Sequence, residues 1–270
     1  ALAFWAFCFA ASAVYVVNDI ADRERDRLHP EKRLRPIAAG RLSVRAAAVT
    51  AALCLVASAM LTYWLVAHAL SGQPDPFLRW GGSSLLFTAT LGAYLGVNVA
   101  YSLWLRHQVL WDVFIIAAGF VFRALAGALA IPVPVSPWFY LCTTFLALLL
   151  ALGKRRAELL LLSDGAADHR GNLRHYTLQL LDQLMAVVVT CTLITYSLYT
   201  FQGEGANHGL MVTVPFVIFG VFRYLYLVYV KDAGQRPDEL LWRDKQILGA
   251  VALCVVVILA LLYVAPLLRG

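Results

Sequence analysis

Charge is scarce in this sequence. Of its 270 residues, 14% are Asp, Glu, Lys or Arg, while 61% are apolar. Soluble domains carry about a quarter charged residues and roughly half apolar ones, so a water-surrounded globule is excluded first. Cysteine is sparse too: Cys8, Cys54, Cys142, Cys191 and Cys254 all lie inside apolar stretches, odd in number and without metal-ligand spacing. That pattern excludes a disulfide framework and a zinc site, and the five read as small helix-packing residues. No P-loop, dinucleotide fingerprint or Gly-x-Ser-x-Gly elbow occurs, which removes the usual soluble nucleotide-binding and hydrolase readings. Apolar–polar alternation is missing, and with it a transmembrane barrel. No secretory leader is visible. The chain opens at Ala1 inside an apolar run, so a truncated or missing N-terminal helix is expected.

What is present is a series of long apolar runs. A bilayer core takes about 20 apolar residues per helix. Eight runs qualify as candidates: 1–17, 46–70, 80–100, 109–130, 137–152, 178–201, 209–230 and 247–268, the fifth of them short. The expected fold class is an all-α membrane protein, one polytopic transmembrane domain over residues 1–270.

The net charge of +6 belongs to the loops. Apart from Arg79, Arg123, Arg223 and Arg269, every Lys and Arg lies in the segments after the first, third, fifth and seventh runs. Cytoplasmic loops carry the positive excess. Those loops are therefore expected on the cytoplasmic side of a bacterial inner membrane, and the basic balance reports topology rather than a nucleic-acid partner. The two large basic loops fall one in each half of the chain, which suggests a weak repeat of helix groups.

The first basic loop opens with acid. Asn18-Asp19-Ile20-Ala21-Asp22-Arg23-Glu24-Arg25-Asp26 follows the first run directly. On a helix, Asp19, Asp22 and Asp26 fall within about 60° of one another. Three carboxylates on one stripe repel unless a cation sits among them, and hard oxygen ligands suit Mg²⁺ bridging to phosphate. Lys32 and Arg35 stand next door as phosphate partners. The ordinary alternative is a solvated, mixed-charge helix end, into which Glu24 and Arg27 fit.

This segment resembles the UbiA superfamily of intramembrane prenyltransferases. Asn18, Asp19, Asp22 and Asp26 match the first aspartate motif, NDxxDxxxD, and Lys32, Arg35, Pro36, Ile37 and Gly40 match its K-x-x-R-P-[IL]-x-x-G continuation. The resemblance implies a bundle of about nine transmembrane helices, eight of them visible here, around a cavity open to the cytoplasm. It also implies Mg²⁺ held by Asp19, Asp22 and Asp26 on a pyrophosphate leaving group, with Asn18 orienting the site.

The later cytoplasmic loop departs from that pattern. Where prenyltransferases carry a second aspartate motif, this chain has Gly153-Lys154-Arg155-Arg156-Ala157-Glu158-Leu159. Lys154 and Glu158 share a helix face at i,i+4, with Arg155 alongside, and an ordinary basic flank with a helical ion pair is the plain alternative. The run resembles the decaprenyl-phosphate (polyprenyl-phosphate) phosphoribosyltransferase branch of the superfamily, as do 98–103, 106–108, 110–112, 122–127 and 136–138. That branch usually has Lys where Arg106 stands, and Arg binds phosphate with a different geometry. The resemblance implies transfer of 5-phosphoribosyl from phosphoribosyl pyrophosphate (PRPP) to a polyprenyl phosphate lipid. Three phosphorylated groups then meet in one pocket, and Lys and Arg in place of Asp suit the added negative charge. Lys32, Arg35, Arg106, Lys154 and Arg155 are the expected clamps, with Glu158 among the contacts.

Tyr101 reads as a phosphate hydrogen-bond donor or as a member of an interfacial aromatic belt. Arg123 and Arg223 lie inside apolar runs, where Arg is costly and faces a polar cavity, pairs within the bundle or snorkels. Arg123 counts among the substrate-binding candidates, on the same helix face as Asp112. The histidines show no metal spacing. Two rivals remain: a UbiA-type prenyltransferase acting on an aromatic or glycerol-phosphate acceptor, and a lipid or metabolite transporter, which broken midplane helices would mark. A homo-oligomer is compatible with the pattern.

Overall fold

The computed structural model describes residues 1–28, 32–71, 74–105, 108–163, 175–202, 208–231, 234 and 237–261. The described chain is all-α, and seven of its helices are long and apolar enough to cross a membrane. They cover Leu2–Ala21, Val44–Ala69, Gly82–Leu103, Trp111–Leu129, Pro137–Leu160, Leu178–Phe201 and Gly209–Val230, and a shorter apolar helix spans Lys245–Leu259. These match the eight expected runs in order, and the protein is a multi-pass membrane protein. The end of the eighth run, 262–268, lies outside the described residues. The fifth run corrects the reading most. Its helix extends through Ser163, so the Gly153–Glu158 motif is helical rather than part of a loop.

The chain forms two compact units, Ala1–Val135 and Ser136–Gly270. The first contains α1 (Leu2–Ala21), α2 (Arg23–Leu28), α3 (Val44–Trp64), α4 (Gly82–Leu103) and α5 (Trp111–Leu129). The pairing of α1 with α3 rests on small residues: Ala6, Ala10, Ala47 and Ala51 are buried, and the Ser58 hydroxyl donates to the Ala6 carbonyl at 2.8 Å. Small side chains let backbones approach, the usual device where lipid removes the hydrophobic drive between helices. Phe7 of α1 meets Phe87 of α4 edge to face at 6.0 Å, within a cluster that includes Val14, Leu91, Tyr94 and Ala126.

The helix ends follow from local chemistry. Ser43 caps α3 by accepting from Ala46 N at 3.2 Å, satisfying one of the first-turn amides. Before α4, Gly81 and Gly82 take φ of +92° and +84°, open to glycine at little cost. Asp75 closes that turn, accepting from Ser83 N at 2.6 Å and Phe77 N at 2.9 Å. These donors, the Ser83 amide foremost, hold its carboxyl below the usual range.

The second unit contains α6 (Pro137–Ser163), α7 (Leu178–Gln202), α8 (Val214–Val230), α9 (Pro237–Arg243) and α10 (Lys245–Leu259). Helix α6 packs along α7 and α8 along α10. Leu149, Leu181 and Met185 are fully buried. Asp244 caps α10, accepting from Gln246 N at 3.1 Å and Ile247 N at 2.9 Å. Each unit thus opens with a long helix whose C-terminal end carries a charged motif. Side chains such as Phe4, Val49, Leu53, Met60, Val187 and Val251 remain exposed, as expected of faces solvated by lipid.

Candidate active site

In the first unit the aspartate segment is nearly a continuous helix with one break. Asp22 caps α1 at φ −93° and ψ 1°. The i→i−4 hydrogen bonds continue past it, from Asp22 N to Asn18 O and from Asp26 N to Asp22 O, both at 2.8 Å. The break changes what the stripe does. Asp19, on the last turn of α1, and Asp26, buried on α2, converge on Arg35: its Nη1 donates to Asp19 Oδ1 at 2.7 Å and to Asp26 Oδ2 at 2.9 Å. Asp22 faces Arg25 at 4.0 Å. The outer edge follows the plain mixed-charge reading, with Arg27 bonded to Glu24 at 3.1 Å on an exposed face. The inner edge does not, because Asp26 keeps only 7% of its side-chain surface exposed and a carboxylate so placed requires a cationic partner.

The loop that delivers Arg35 is held by its backbone. Lys32–Leu34 form a single 3-10 turn, closed by Arg35 N to Lys32 O at 2.9 Å. The Arg27 guanidinium ties the loop back through Nε to Ala38 O at 3.2 Å, and Ile37 and Ala38 are buried beneath it. Lys32 is half-buried on that turn.

Ser102, which the sequence reading did not single out, completes the α1 side. Its hydroxyl lies within hydrogen-bond reach of Asn18 Oδ1 and of the Asn98 carbonyl, fixing the Asn18 amide. The only signal was its place in the Asn98–Leu103 stretch. Tyr101 is half-buried on the last turn of α4. Arg106 lies outside the described residues. Arg123 is paired within its own unit: Nη2 donates to the Tyr94 hydroxyl at 3.0 Å, and the guanidinium lies 5.3 Å from the Tyr94 ring and 5.4 Å from that of Phe120. An Arg at membrane depth is thereby satisfied by a phenol and two aromatic faces.

In the second unit, α6 presents Lys154 outward and turns Arg155 inward. Lys154 is exposed, whereas Arg155 is 3% exposed and ion-paired with Glu158. Arg156 is held by Asp182 at 2.8 Å, the Val228 carbonyl at 3.2 Å and the Tyr229 ring at 4.4 Å. Its partners come from α7 and α8, so this cation ties three helices. Arg223 forms a forked pair with Asp244, 2.8 Å at its shortest, and joins α8 to the start of α10. That bond holds the Asp244 carboxyl below the usual range.

The first unit's arrangement suits a divalent cation. Two carboxylates from different helices already converge on one cationic nitrogen, and Mg²⁺ is commonly held by one or two carboxylates plus substrate phosphates. Among the described residues no three His, Cys, Asp or Glu side chains gather into a metal-holding group.

Residues 1–244 match the UbiA prenyltransferase family. The chain belongs to this family. Its all-α membrane fold is therefore that of a UbiA-family protein. Among curated relatives, the decaprenyl-phosphate phosphoribosyltransferase of Mycolicibacterium smegmatis is 34% identical, the match covering 90% of this chain and 74% of the relative. The enzyme of the same name from Corynebacterium glutamicum is 35% identical over 98% of this chain and 76% of the relative. That from Mycobacterium tuberculosis H37Rv is 32% identical over 90% and 75%.

Proposed function

We propose that this UbiA-family protein transfers the 5-phosphoribosyl group of PRPP to a polyprenyl phosphate such as decaprenyl phosphate. An oxygen of the lipid phosphate forms a bond to ribose C1 as the bond from C1 to pyrophosphate breaks. The products are 5-phosphoribosyl-monophosphopolyprenol and pyrophosphate, a route to arabinose precursors for cell-wall or other glycans. The observation that carries the reading is the similarity to phosphoribosyltransferases over nine-tenths or more of the chain. The cationic stretch Lys154–Arg156, in place of a second aspartate motif, is in accord with it.

The residues divide the work. Asp19, Asp22 and Asp26 would hold Mg²⁺, with Asn18, set by Ser102, orienting the end of α1. When bound, the cation supplies neutralisation of the departing pyrophosphate. Lys32 and Arg35 are assigned to donor phosphates in the first unit, with Arg106 and Tyr101 as further contacts. In the second unit Lys154 is the accessible phosphate ligand, and Glu158 holds Arg155 in place. The acceptor phosphate is ionised at neutral pH, so no dedicated general base is assigned. The alternation of basic loops supports an active site on the cytoplasmic side of a bacterial inner membrane.

The test is turnover by purified protein given labelled PRPP, Mg²⁺ and a panel of polyprenyl phosphates. A phosphoribosylated lipid plus pyrophosphate is the expected outcome. The family as a whole is described by prenyl transfer, so prenyl pyrophosphate with an aromatic or glycerol-phosphate acceptor is the control. Turnover of that pair alone overturns the assignment.

A further inference from the structure

Arg35 occupies the point where two carboxylates need a cation. One nitrogen, Nη1, lies 2.7 Å from Asp19 and 2.9 Å from Asp26, although the two aspartates sit on separate helices. Carboxylates that close to a common point repel unless positive charge lies between them. A guanidinium brings one positive charge against two negative ones, so the trio remains anionic, and a divalent cation in that place would cancel it.

The loop is built so that the side chain can leave while its backbone stays. The main chain around Arg35 is pinned by Arg35 N to Lys32 O, Ala39 N to Arg35 O and Arg27 Nε to Ala38 O, at 2.9, 2.8 and 3.2 Å. The Arg35 side chain is 41% exposed, against 7% for Asp26. Rotation about side-chain torsions therefore releases the guanidinium without unfolding the loop. Both of its contacts among the described residues fall on Nη1, and arginine offers further N–H donors on Nε and Nη2 suited to phosphate.

We propose that Arg35 is an exchange ligand. It holds Asp19 and Asp26 together before metal binds, then yields them to a divalent cation as its guanidinium moves to a phosphate of the incoming donor. Only the identity of that donor, PRPP, rests on the function proposed above. Metal and donor then bind with positive coupling, and coupling is reciprocal.

Mn²⁺ is the probe, titrated against the purified full chain with free Mn²⁺ read by electron paramagnetic resonance, with and without PRPP. The parent is expected to bind Mn²⁺ weakly alone and about tenfold more tightly with PRPP, the scale of one charge-assisted contact. Arg35→Gln is expected to bind Mn²⁺ about tenfold more tightly than the parent without PRPP, and PRPP then adds little. The double variant Arg35→Gln/Asp26→Asn must lose that gain. Unchanged or weaker Mn²⁺ binding by Arg35→Gln overturns the proposal, as does a gain that survives loss of Asp26. Should Arg35→Gln not fold, Arg35→Lys carries the test: an ammonium spans two carboxylates less well, so Mn²⁺ binds more tightly than in the parent, and an equal or lower affinity overturns the idea. Turnover of PRPP by the parent is measured separately. A parent inert toward PRPP overturns the phosphoribosyl reading, while the Mn²⁺ gain without PRPP stands or falls by itself.

Discussion

The Tyr224 hydroxyl of α8 fills the space beside Gly153 of α6 where a β-carbon would stand. The hydroxyl is buried and has no hydrogen-bond partner among the described residues, so the contact with Gly153 is one of packing. Gly234 presses on the same place, since a β-carbon there would lie 2.7 Å from the Gly153 carbonyl oxygen. The glycine that opens the cationic motif is thus a packing requirement of the second unit. Gly153→Ala should destabilise the protein by about 1–3 kcal/mol through overpacking, read as a lower Tm in detergent. Tyr224→Phe alone should be neutral or mildly stabilising, because it removes a buried hydroxyl that no described residue satisfies. Combined with Gly153→Ala it should recover part of the loss, and equal Tm values for the single and double variants would show that the hydroxyl is not the obstruction.

Ser102 is expected to act through Asn18. Removing the hydroxyl leaves the Asn18 amide without the partner that fixes it, at a cost of about 1 kcal/mol in stability. Because Asn18 sits one residue before Asp19, Ser102→Ala should also lower turnover, and Ser102→Thr, which keeps the hydroxyl, should restore it. Turnover equal to the parent in the alanine variant would confine Ser102 to packing.

Lys154 and Arg155 separate recognition from support. Lys154 is exposed, where an ion pair is worth little, so Lys154→Ala should change Tm only slightly and raise the PRPP requirement roughly tenfold or more, the worth of a charge-assisted contact. Arg155 is buried on Glu158, so Arg155→Ala should lower Tm as well, by breaking a buried ion pair and emptying the space its side chain fills. A ribose pyrophosphate lacking the 5-phosphate gives the contrast. It should be a poor donor for the parent and nearly indifferent to Lys154→Ala. Equal losses with both donors would mean that Lys154 does not read the 5-phosphate.

Asp244 should make the α8–α10 connection acid-sensitive. Its carboxyl is held below the ordinary range, chiefly by the Arg223 hydrogen bond and then by the Ile247 and Gln246 amides. A depressed folded pKa favours the ionised native form. The stabilisation is therefore full above the unfolded value, about 3.9, and is lost as pH falls through the lower folded value. The Tm difference between parent and Asp244→Asn should stay constant from pH 7 to about 5 and shrink below about 4. A difference that persists to the lowest pH would assign the loss to geometry rather than charge.

Much of the architecture was legible in the sequence because a bilayer imposes one rule on every segment: an apolar helix long enough to cross, with basic residues at alternate ends. The runs at 178–201 and 209–230 reappear with the same bounds, and those at 46–70, 80–100 and 109–130 with ends shifted by one to three residues. The run at 137–152 fell short because Lys154, Arg155 and Arg156 read as a loop, whereas Arg156 reaches Asp182 and the Val228 carbonyl and keeps α6 helical through the charges. Composition says that three cations follow one another, but only the neighbouring helices decide that Lys154 stays exposed while Arg155 and Arg156 are buried. The aspartate segment divides in the same way. Spacing placed Asp19, Asp22 and Asp26 on one stripe, since that follows from helical geometry alone. The break at Asp22 and the pairing of Asp19 with Asp26 through Arg35 depend on a loop folding back from sixteen residues along the chain. Sequence pattern determines periodicity and sidedness, which are local properties of the chain. Which cation meets which carboxylate is decided by tertiary packing, because it depends on where a buried charge can find its partner.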